Sequence, residues 1–316
     1  MCEQSLVSVI IITYNSSKLV IETLESIKNQ TYKNLELVVS DDCSTDDTVN
    51  IVKEWIRCNK QYFSNAKIVI GEKNEGISAN CNKGVRAASG EWVKLLAGDD
   101  KLEPFAIEEY MNFISYNQEA KFLCCKLKMF GDDDDFIKKT ELHYESDFYP
   151  KMQLSHELQY DELLKKLYIP APGVFYLKKI WEEVNGYEEK YKYCEEHPFY
   201  VKILEKYKLY FVDKHLVLYR VYRGSVCRSK TKVPLVYEGS KQFFKDKLFP
   251  LLVKHGHLFL AIEQYFQFKD FDFEYYNSNI VYKCFVKFLH LLSPYRTYLY
   301  LKKKFQKIDE PLQNIK

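Results

Sequence analysis

The chain has 316 residues, of which 47% are hydrophobic and 28% charged, so it holds enough apolar material for one large globular domain or two smaller ones. Its formal net charge is only +2, and nucleic acid is therefore not expected as a partner. The chain has nine cysteines, and none of their spacings resembles a zinc site, which favours a reducing cytoplasm. The polar stretch at residues 1–6 is too short for a targeting segment. No run of about 18 uncharged apolar residues occurs, so we expect no membrane-spanning helix.

Four short apolar runs alternate with segments of helical spacing in the first hundred residues. The runs cover residues 6–12, 35–39, 67–70 and 92–97, and their β-branched composition is typical of strands buried on both faces. Alternation of strands and helices predicts right-handed βαβ units and a doubly wound sheet of order 3-2-1-4. Ligands bind such sheets beyond the carboxyl ends of the strands, where the winding reverses between strands 1 and 4.

Polar side chains follow three of these strands: Thr13, Tyr14 and Asn15 the first, Asp42 the second, and Asp99 and Asp100 the fourth. Neither G-x-G-x-x-G nor a Walker loop follows the first strand, so no glycine-rich loop cradles phosphates there. Carboxylates bind Mg²⁺ or Mn²⁺ together with phosphate oxygens. A tyrosine can stack on a base, and an aspartate can accept a hydrogen bond from a base N–H. The pattern predicts a nucleoside diphosphate held through a metal; the alternative for Gly-Asp-Asp is a solvated turn.

These motifs resemble the nucleotide-binding half of the inverting family-2 glycosyltransferases of GT-A fold. The matching pieces are V-S-V-I-I-I-T-Y-N (7–15), S-I-x-N-Q-T-Y (26–32), V-V-S-D-D-C-S-T-D (38–46) and G-D-D (98–100). The resemblance implies that Asp42 reads a pyrimidine with Thr13 and Tyr14 beside it, that Asp99 lies near the ribose, and that Asp100 holds Mn²⁺ or Mg²⁺. It also implies nucleotide contacts for Asn15 and for Asn82. The neighbouring Cys81 departs from the family, which often has Arg there.

A second group of residues resembles the family's catalytic half. Residues 181–187 match the helix and Gly-aromatic turn that precede the acidic motif, which here is C-E-E-H-P-F at 194–199. The resemblance implies that Glu196 is the general base that takes the proton of the acceptor hydroxyl. The alternative is an acid that favours the helix macrodipole. Glu195 is expected to support Glu196, and His197 to make a local structural contact.

Two further stretches leave alternatives open. Residues 217–225 resemble the family's Tyr-Arg strand and lid. In this stretch Arg220 or Arg223 either neutralises the leaving diphosphate or forms a structural salt bridge. Tyr222 stands where the family often has His. The acidic run at 131–135 predicts a solvated loop, with a second metal site as the less favoured interpretation.

Positive charge is concentrated at the C-terminal end. Residues 280–316 carry eight Lys/Arg and two Asp/Glu, a net charge of +6, which leaves −4 on residues 1–279. Residues 245–268 and 280–307 have helical spacing, with breaks expected at Pro250 and Pro294. A basic amphipathic helix either lies on an anionic membrane surface or packs against the rest of the chain or another subunit.

The sequence thus predicts an α/β protein with a GT-A-type, Rossmann-like, doubly wound and mostly parallel sheet, followed by a C-terminal helical extension. We expect a nucleotide-sugar-binding half at 1–101, an acceptor and catalytic half at 102–228, and the extension at 229–316. The resemblance implies a metal-dependent inverting hexosyl- or N-acetylhexosaminyltransferase. It would act from a nucleotide-sugar donor, UDP-linked by preference, on a glycan or lipid-linked acceptor in bacterial surface polysaccharide synthesis, in the cytoplasm or on the inner face of the membrane.

Two other functions remain open from the sequence. The first is a non-catalytic nucleotide-sugar-binding module, in which Glu196 is structural. The second is a sugar-phosphate nucleotidyltransferase, which should carry a glycine-rich phosphate loop after the first strand; the sequence has none there.

Overall fold

The computed structural model describes residues 5–191, 193–222 and 233–270. By its contacts the chain divides into two compact units, Met1–Ser240 and Lys241–Lys316. Among the described residues, no helix is both long and apolar enough to cross a membrane.

The first unit is built on a mixed sheet of eight strands in the described part of the chain. The strands are β1 Val7–Thr13, β2 Leu35–Asp41, β3 Asn65–Ile70, β4 Trp92–Ala97, β5 Lys101–Leu102, β6 Phe122–Gly131, β7 Val174–Leu177 and β8 Leu209–Val221. Their order is β3-β2-β1-β4-β7-β6-β8-β5. The pairs β1–β2, β1–β4, β2–β3 and β6–β8 are parallel, and β4–β7, β6–β7 and β5–β8 are antiparallel. The predicted order 3-2-1-4 and the mostly parallel sheet are confirmed.

Helices connect and cover these strands. They are α1 Val20–Lys28, α2 Thr48–Asn59, α3 Ile77–Ala87, α4 Ala106–Tyr116, α5 Asp134–His143, α6 Tyr149–Met152, α7 His156–Lys165, α8 Lys178–Glu183 and α9 Glu196–Leu204. After β8 follows α10 Val233–Phe243, which includes the boundary between the two units.

The core forms where the sheet is covered on both faces. Every residue of β2 is buried, as expected for a strand covered on both faces, although Glu36 interrupts its apolar run. Further along the sheet, the Phe175 ring of β7 stacks on Trp92 of β4 at 5.5 Å and on Tyr110 of α4 at 4.6 Å between ring centroids. Such stacked pairs add stabilisation beyond the area that they bury. They fix β4, whose carboxyl end carries Asp99 and Asp100.

The structure corrects the solvated loop expected at 131–135. Helix α5 begins at Asp134, and the Asp133 side chain accepts the backbone N–H of Phe136 at 3.1 Å. An aspartate that caps a helix in this way satisfies one of the unpaired first-turn donors. The acidic run therefore starts a helix, and α6 and α7 follow it within residues 145–167.

The second unit is helical where it is described. A π-helical segment at Phe244–Leu248 leads into α11 Phe249–Lys254, and α12 Leu258–Asp270 follows. The break predicted at Pro250 is wrong. Pro250 lies in the first turn of α11, and the wide π turn before it tolerates the missing N–H. The interruption falls instead at Gly256, whose φ is +82°. Pro294 and the basic stretch at 280–316 lie outside the described residues.

Candidate active site

A cavity of about 530 Å³ lies where β1, β2 and β4 end. Five of the residues predicted to bind nucleotide line it: Thr13, Tyr14, Asn15, Asp42 and Asp99. We call this the donor-side cavity. Its place at the switch between β1 and β4 is where a doubly wound sheet binds ligands.

The turn after β1 is held in shape by side-chain hydrogen bonds. Thr13 Oγ1 donates to Asp41 Oδ2 at 2.7 Å, and Asn15 Oδ1 accepts the backbone N–H of Thr45 at 2.8 Å. Asn15 has a φ of +52°, a conformation that asparagine tolerates better than most residues. Between them, Tyr14 is 41% exposed. Thr13 and Asn15 therefore build the wall, and Tyr14 lines the cavity with an exposed ring.

Asp42 is buried and ties down the segment that leads into α3. Its Oδ1 accepts the backbone N–H of Glu75 at 3.1 Å, and its Oδ2 accepts that of Gly76 at 2.8 Å. Gly76 has a φ of +93°, which a residue with a side chain rarely adopts. A carboxylate oxygen can accept more than one hydrogen bond, so Asp42 keeps capacity for a ligand N–H.

Asn82 is not among the residues that line the donor-side cavity. Its side-chain nitrogen donates to Tyr187 O at 2.9 Å and to Glu189 Oε1 at 2.7 Å, and its oxygen accepts the Tyr187 N–H at 2.9 Å. The structure thus places Asn82 as a link between α3 and the turn after α8, rather than beside the other predicted nucleotide contacts.

A second cavity, of about 200 Å³, adjoins the first. The two share Asp99 and three apolar residues of their walls, Ile12, Ile77 and Ala97. The second cavity also contains Asp100, Glu195, Glu196 and Arg220. We call it the acidic cavity. Asp99 therefore joins the cavity of the predicted nucleotide contacts to the cavity that contains the predicted metal ligand, Asp100, and the predicted base, Glu196.

The two aspartates after β4 lie in an environment that opposes their charges. Burial raises the pKa of Asp99, against a hydrogen bond from Tyr222 that lowers it. Burial raises the pKa of Asp100 well above its ordinary value, and the neighbouring charge of Asp99 adds to that rise. Adjacent buried anions are stabilised by a cation between or beside them.

A buried lysine lies in β4, the strand that leads to these two aspartates. Lys94 of β4 has no exposed surface, and its Nζ donates to the carbonyl oxygens of Pro172 and of Val174, the latter at 3.1 Å. Burial lowers the pKa of Lys94 to about 8, although the attraction of groups that include Asp100 opposes this. Lys94 thus fixes the segment whose Pro172 and Val174 line the acidic cavity.

The contacts of Arg220 support the structural salt bridge, the second of the two roles that the sequence left open for it. Its Nη2 donates to Glu22 Oε2 at 2.8 Å, its Nε donates to Asp99 O at 2.9 Å, and its guanidinium lies 4.4 Å from the centroid of the Phe130 ring. The guanidinium is therefore engaged by the protein on several sides. Arg223, the other candidate for a diphosphate contact, lies outside the described residues.

Two glutamates occupy the far side of the acidic cavity. Glu196 is the first residue of α9, and Glu195 precedes it. Burial raises the pKa of both carboxyls, and for Glu196 the charge of Glu195 raises it further. Within the described part of the chain, Glu195 Oε2 is buried without a hydrogen-bond partner. A carboxylate with a raised pKa is a better proton acceptor at neutral pH than an ordinary one.

The donor set fits a divalent cation that is shared with a ligand. Among residues 5–191, 193–222 and 233–270, no group of three or more His, Cys, Asp or Glu side chains could hold a metal by itself. Mg²⁺ and Mn²⁺ do not need one, because one or two carboxylates with water and phosphate oxygens complete their coordination. Asp100, buried and of raised pKa beside Asp99, offers such a ligand.

Comparison with known families places the chain. The model described as Glycosyl transferase family 2 matches residues 8–183, more than half of its length. The chain belongs to this family. One family relative is a GalNAc(5)-diNAcBac-PP-undecaprenol beta-1,3-glucosyltransferase from Campylobacter jejuni, 30% identical over 68% of this chain and 65% of its own length. The first three curated relatives are each spanned only in part, over 14% to 65% of their lengths.

Solved structures share the fold. A mannosyltransferase of Pyrobaculum calidifontis in complex with GDP-Man and Mn²⁺ superposes with a TM-score of 0.59, at 19% identity over 94% of this chain and 84% of that one. Residues 1–349 of S. aureus TarS, in complex with UDP-GlcNAc, give a TM-score of 0.56 at 20% identity over 83% of this chain and 81% of that one.

Several residues of the site were not singled out from the sequence. Lys18, Asn74 and Tyr193 also line the donor-side cavity, as does Tyr222, which the sequence marked only as a departure from the family's His. Nothing in the local pattern marks the first three, because they reach the cavity from turns that lie far apart in the chain. Lys94 had a local signal: it is the one charged residue inside the otherwise apolar run of β4.

Proposed function

We propose that this protein transfers a sugar from a nucleotide-diphospho-sugar to a hydroxyl of a glycan or lipid-linked acceptor, with inversion at the anomeric carbon. The observation that carries the proposal is the junction of two cavities at Asp99. One has the aromatic and carboxylate groups that suit a nucleotide. The other holds a glutamate of raised pKa that suits a base.

Glu196 is the residue that we assign to proton transfer. The acceptor oxygen forms a bond to the anomeric carbon while the bond from that carbon to the diphosphate oxygen breaks, and Glu196 takes the hydroxyl proton. Attack on the face opposite the leaving group inverts the configuration. Glu195, next to it, raises the pKa of Glu196 and so makes it a stronger base.

Asp100 is the residue that we assign to Mn²⁺ or Mg²⁺. When bound, the cation supplies Lewis-acid stabilisation of the leaving diphosphate. On the donor side, Tyr14 stacks on the base, Asp42 accepts a base N–H, and Asp99 contacts the ribose. A UDP-sugar is the preferred donor, since the motif around Asp42 resembles that of pyrimidine readers; the GDP-Man complex of a structural neighbour makes guanine the alternative.

A lipid-linked acceptor is supported by the name of a relative, which acts on an undecaprenol-diphosphate glycan. Synthesis of a bacterial surface polysaccharide on the inner face of the membrane is the corresponding biological role. The non-catalytic binding module is the second candidate, and the raised pKa of Glu196 in the cavity that shares Asp99 with the donor side counts against it, because a carboxyl of this kind suits proton transfer.

The proposal is tested with a panel of UDP- and GDP-sugars, an acceptor extract and Mn²⁺. We expect release of nucleoside diphosphate with one donor above all others, loss of that release with EDTA, and a product whose anomeric proton coupling shows inversion. Binding of a donor with no turnover on any acceptor would favour the binding module. Retention of configuration would overturn the role of Glu196.

A further inference from the structure

Helices α7 and α9 each carry, in their first turn, a histidine that reaches the far end of the other helix. His156, the first residue of α7, has its Nε2 2.7 Å from Leu204 O, the last residue of α9. His197, the second residue of α9, has its Nε2 2.7 Å from Leu163 O, near the end of α7. The two helices therefore run antiparallel, and an imidazole joins them at each end.

Both carbonyl groups belong to the last turn of a helix. The last four carbonyls of an α-helix have no intrahelical N–H to accept, and each needs another donor. An imidazole Nε2–H is such a donor, and a carbonyl acceptor requires that tautomer. Burial lowers the pKa of His197 to about 4, so the ring is neutral at physiological pH and donates from Nε2.

Few backbone hydrogen bonds hold the first turn of α9. Pro198 lies in this turn, where a backbone N–H has no intrahelical acceptor, so its missing donor costs nothing. The next residue, Phe199, donates to Glu195 O over 3.4 Å, at the long end of the range for a hydrogen bond. The bond from His197 to Leu163 O is shorter and joins this turn to a neighbouring helix.

Resting on the function proposed above, we propose that His197 is a positioning residue for that reaction. Its hydrogen bond to Leu163 O fixes the first turn of α9 and thereby the carboxyl of Glu196 in the acidic cavity. His156 makes the same bond at the opposite end of α9, about 12 Å away at 1.5 Å per residue. The two histidines thus contribute alike to joining the helices, but only one sits next to the base.

This symmetry supplies a matched control. His197→Leu and His156→Leu each remove one imidazole donor and leave one helix-end carbonyl without it, and His197→Gln and His156→Gln each restore an amide donor. We expect the two Leu variants to lower the unfolding temperature by similar amounts. Only His197→Leu should lower kcat, by about 10- to 100-fold, since small misplacements of a reacting group cost that much. Donor KM should stay unchanged, and His197→Gln should recover most of the rate.

A second measurement does not depend on turnover. In full-length protein labelled with ¹³C at the glutamate carboxyl, the Glu196 signal is assigned by its absence in Glu196→Gln. We expect His197→Leu to move its titration midpoint, and His156→Leu to leave the midpoint in place. Equal loss of kcat in both Leu variants, or an unmoved midpoint in His197→Leu, would overturn the positioning role. Absence of wild-type turnover would instead count against the proposed function, while the midpoint still decides for His197.

Discussion

Arg220 donates its backbone N–H to Asp100 Oδ1 at 2.8 Å, which joins β8 to the turn after β4. The guanidinium of the same residue pairs with Glu22, so it is not the partner of the Asp100 carboxylate. Among the described residues, no Lys or Arg forms a salt bridge with Asp100. A carboxyl that is fixed in place and buried, with its charge only partly offset by Lys94 and Arg220, is well suited to bind a cation.

The first prediction concerns that cation. Asp100→Asn removes the charge with little change of shape, so donor affinity should become insensitive to Mn²⁺ and Mg²⁺. Calorimetric titration of the donor with metal and with EDTA measures this, and the unfolding temperature verifies that the variant is folded. Asp132→Asn, which alters an exposed acid, is the control and should keep the wild-type response. A response lost in Asp132→Asn and kept in Asp100→Asn would move the metal to the acidic run at 131–135.

The second prediction concerns the base. Glu196→Gln keeps the size and hydrogen bonding of the side chain but cannot take a proton. General-base catalysis contributes about 10²- to 10⁴-fold, so kcat should fall by that factor while donor affinity holds. Single-turnover rates and donor titrations separate the two quantities. A variant that binds the donor and retains the wild-type rate would contradict the assignment.

The third prediction is a pH dependence. Burial and then the charge of Glu195 raise the pKa of Glu196 above the ordinary value of 4.5, and a base works only when deprotonated. The rate should therefore fall with decreasing pH while the solution is still well above pH 4.5. Glu195→Gln removes the neighbouring charge, so the acid limb of its kcat profile should move to lower pH. The same profile for Glu195→Gln and the wild type would show that the two carboxyls do not interact.

The first four strands could be predicted because their signal is local. In β1, β2 and β4 the apolar run is nearly continuous, and the polar residues that follow it mark the strand ends. The contacts that shape the site are different, since each joins residues far apart in the chain. Glu22 and Arg220 are an example: the sequence offered a salt bridge or a diphosphate contact for Arg220 and could not name Glu22 as its partner.

At two places the local sequence pattern did not reveal the contacts that the structure shows. The acidic run at 131–135 has the composition of a solvated loop, but Asp133 caps a helix that the following residues continue. Asn82 matched a family position, yet its amide is engaged by Tyr187 and Glu189. Only the fold brings the turn after α8 against α3.

The fourth prediction concerns stability and uses a buried carboxyl far from the site. Burial alone would raise the pKa of Glu36, but hydrogen bonds from Ser8, Ser89 and Lys67 outweigh it and lower the pKa to about 2. Because the folded pKa lies below the unfolded value of 4.5, the stabilisation is complete above pH 4.5 and is lost as the pH falls towards 2. It is on the order of 3 kcal/mol.

Glu36→Gln should therefore lower the free energy of unfolding near neutral pH, and the difference from the wild type should shrink with acidification. Urea titrations at a series of pH values measure both curves. Ser64, exposed just before the neighbouring strand β3, provides a control in Ser64→Ala, whose difference should not vary with pH. A Glu36→Gln effect that stays constant from neutral to acid pH would contradict the lowered pKa.

The last prediction concerns the basic stretch at 280–316, which lies outside the described residues. Its net charge of +6, against −4 on the rest of the chain, predicts binding to an anionic membrane surface, where a lipid-linked acceptor would reside. Each Lys or Arg near such a surface contributes about 1 kcal/mol to binding, within a Debye length.

The full chain should therefore sediment with anionic vesicles, less so at high salt, and not with neutral ones. A full-length variant with Lys302, Lys303 and Lys304 changed to Gln should lose most of this binding, while Lys138→Gln and Lys139→Gln, exposed on α5, should not. If neither the wild type nor the triple variant binds vesicles, and the triple variant changes its oligomeric state, the stretch is a packing element.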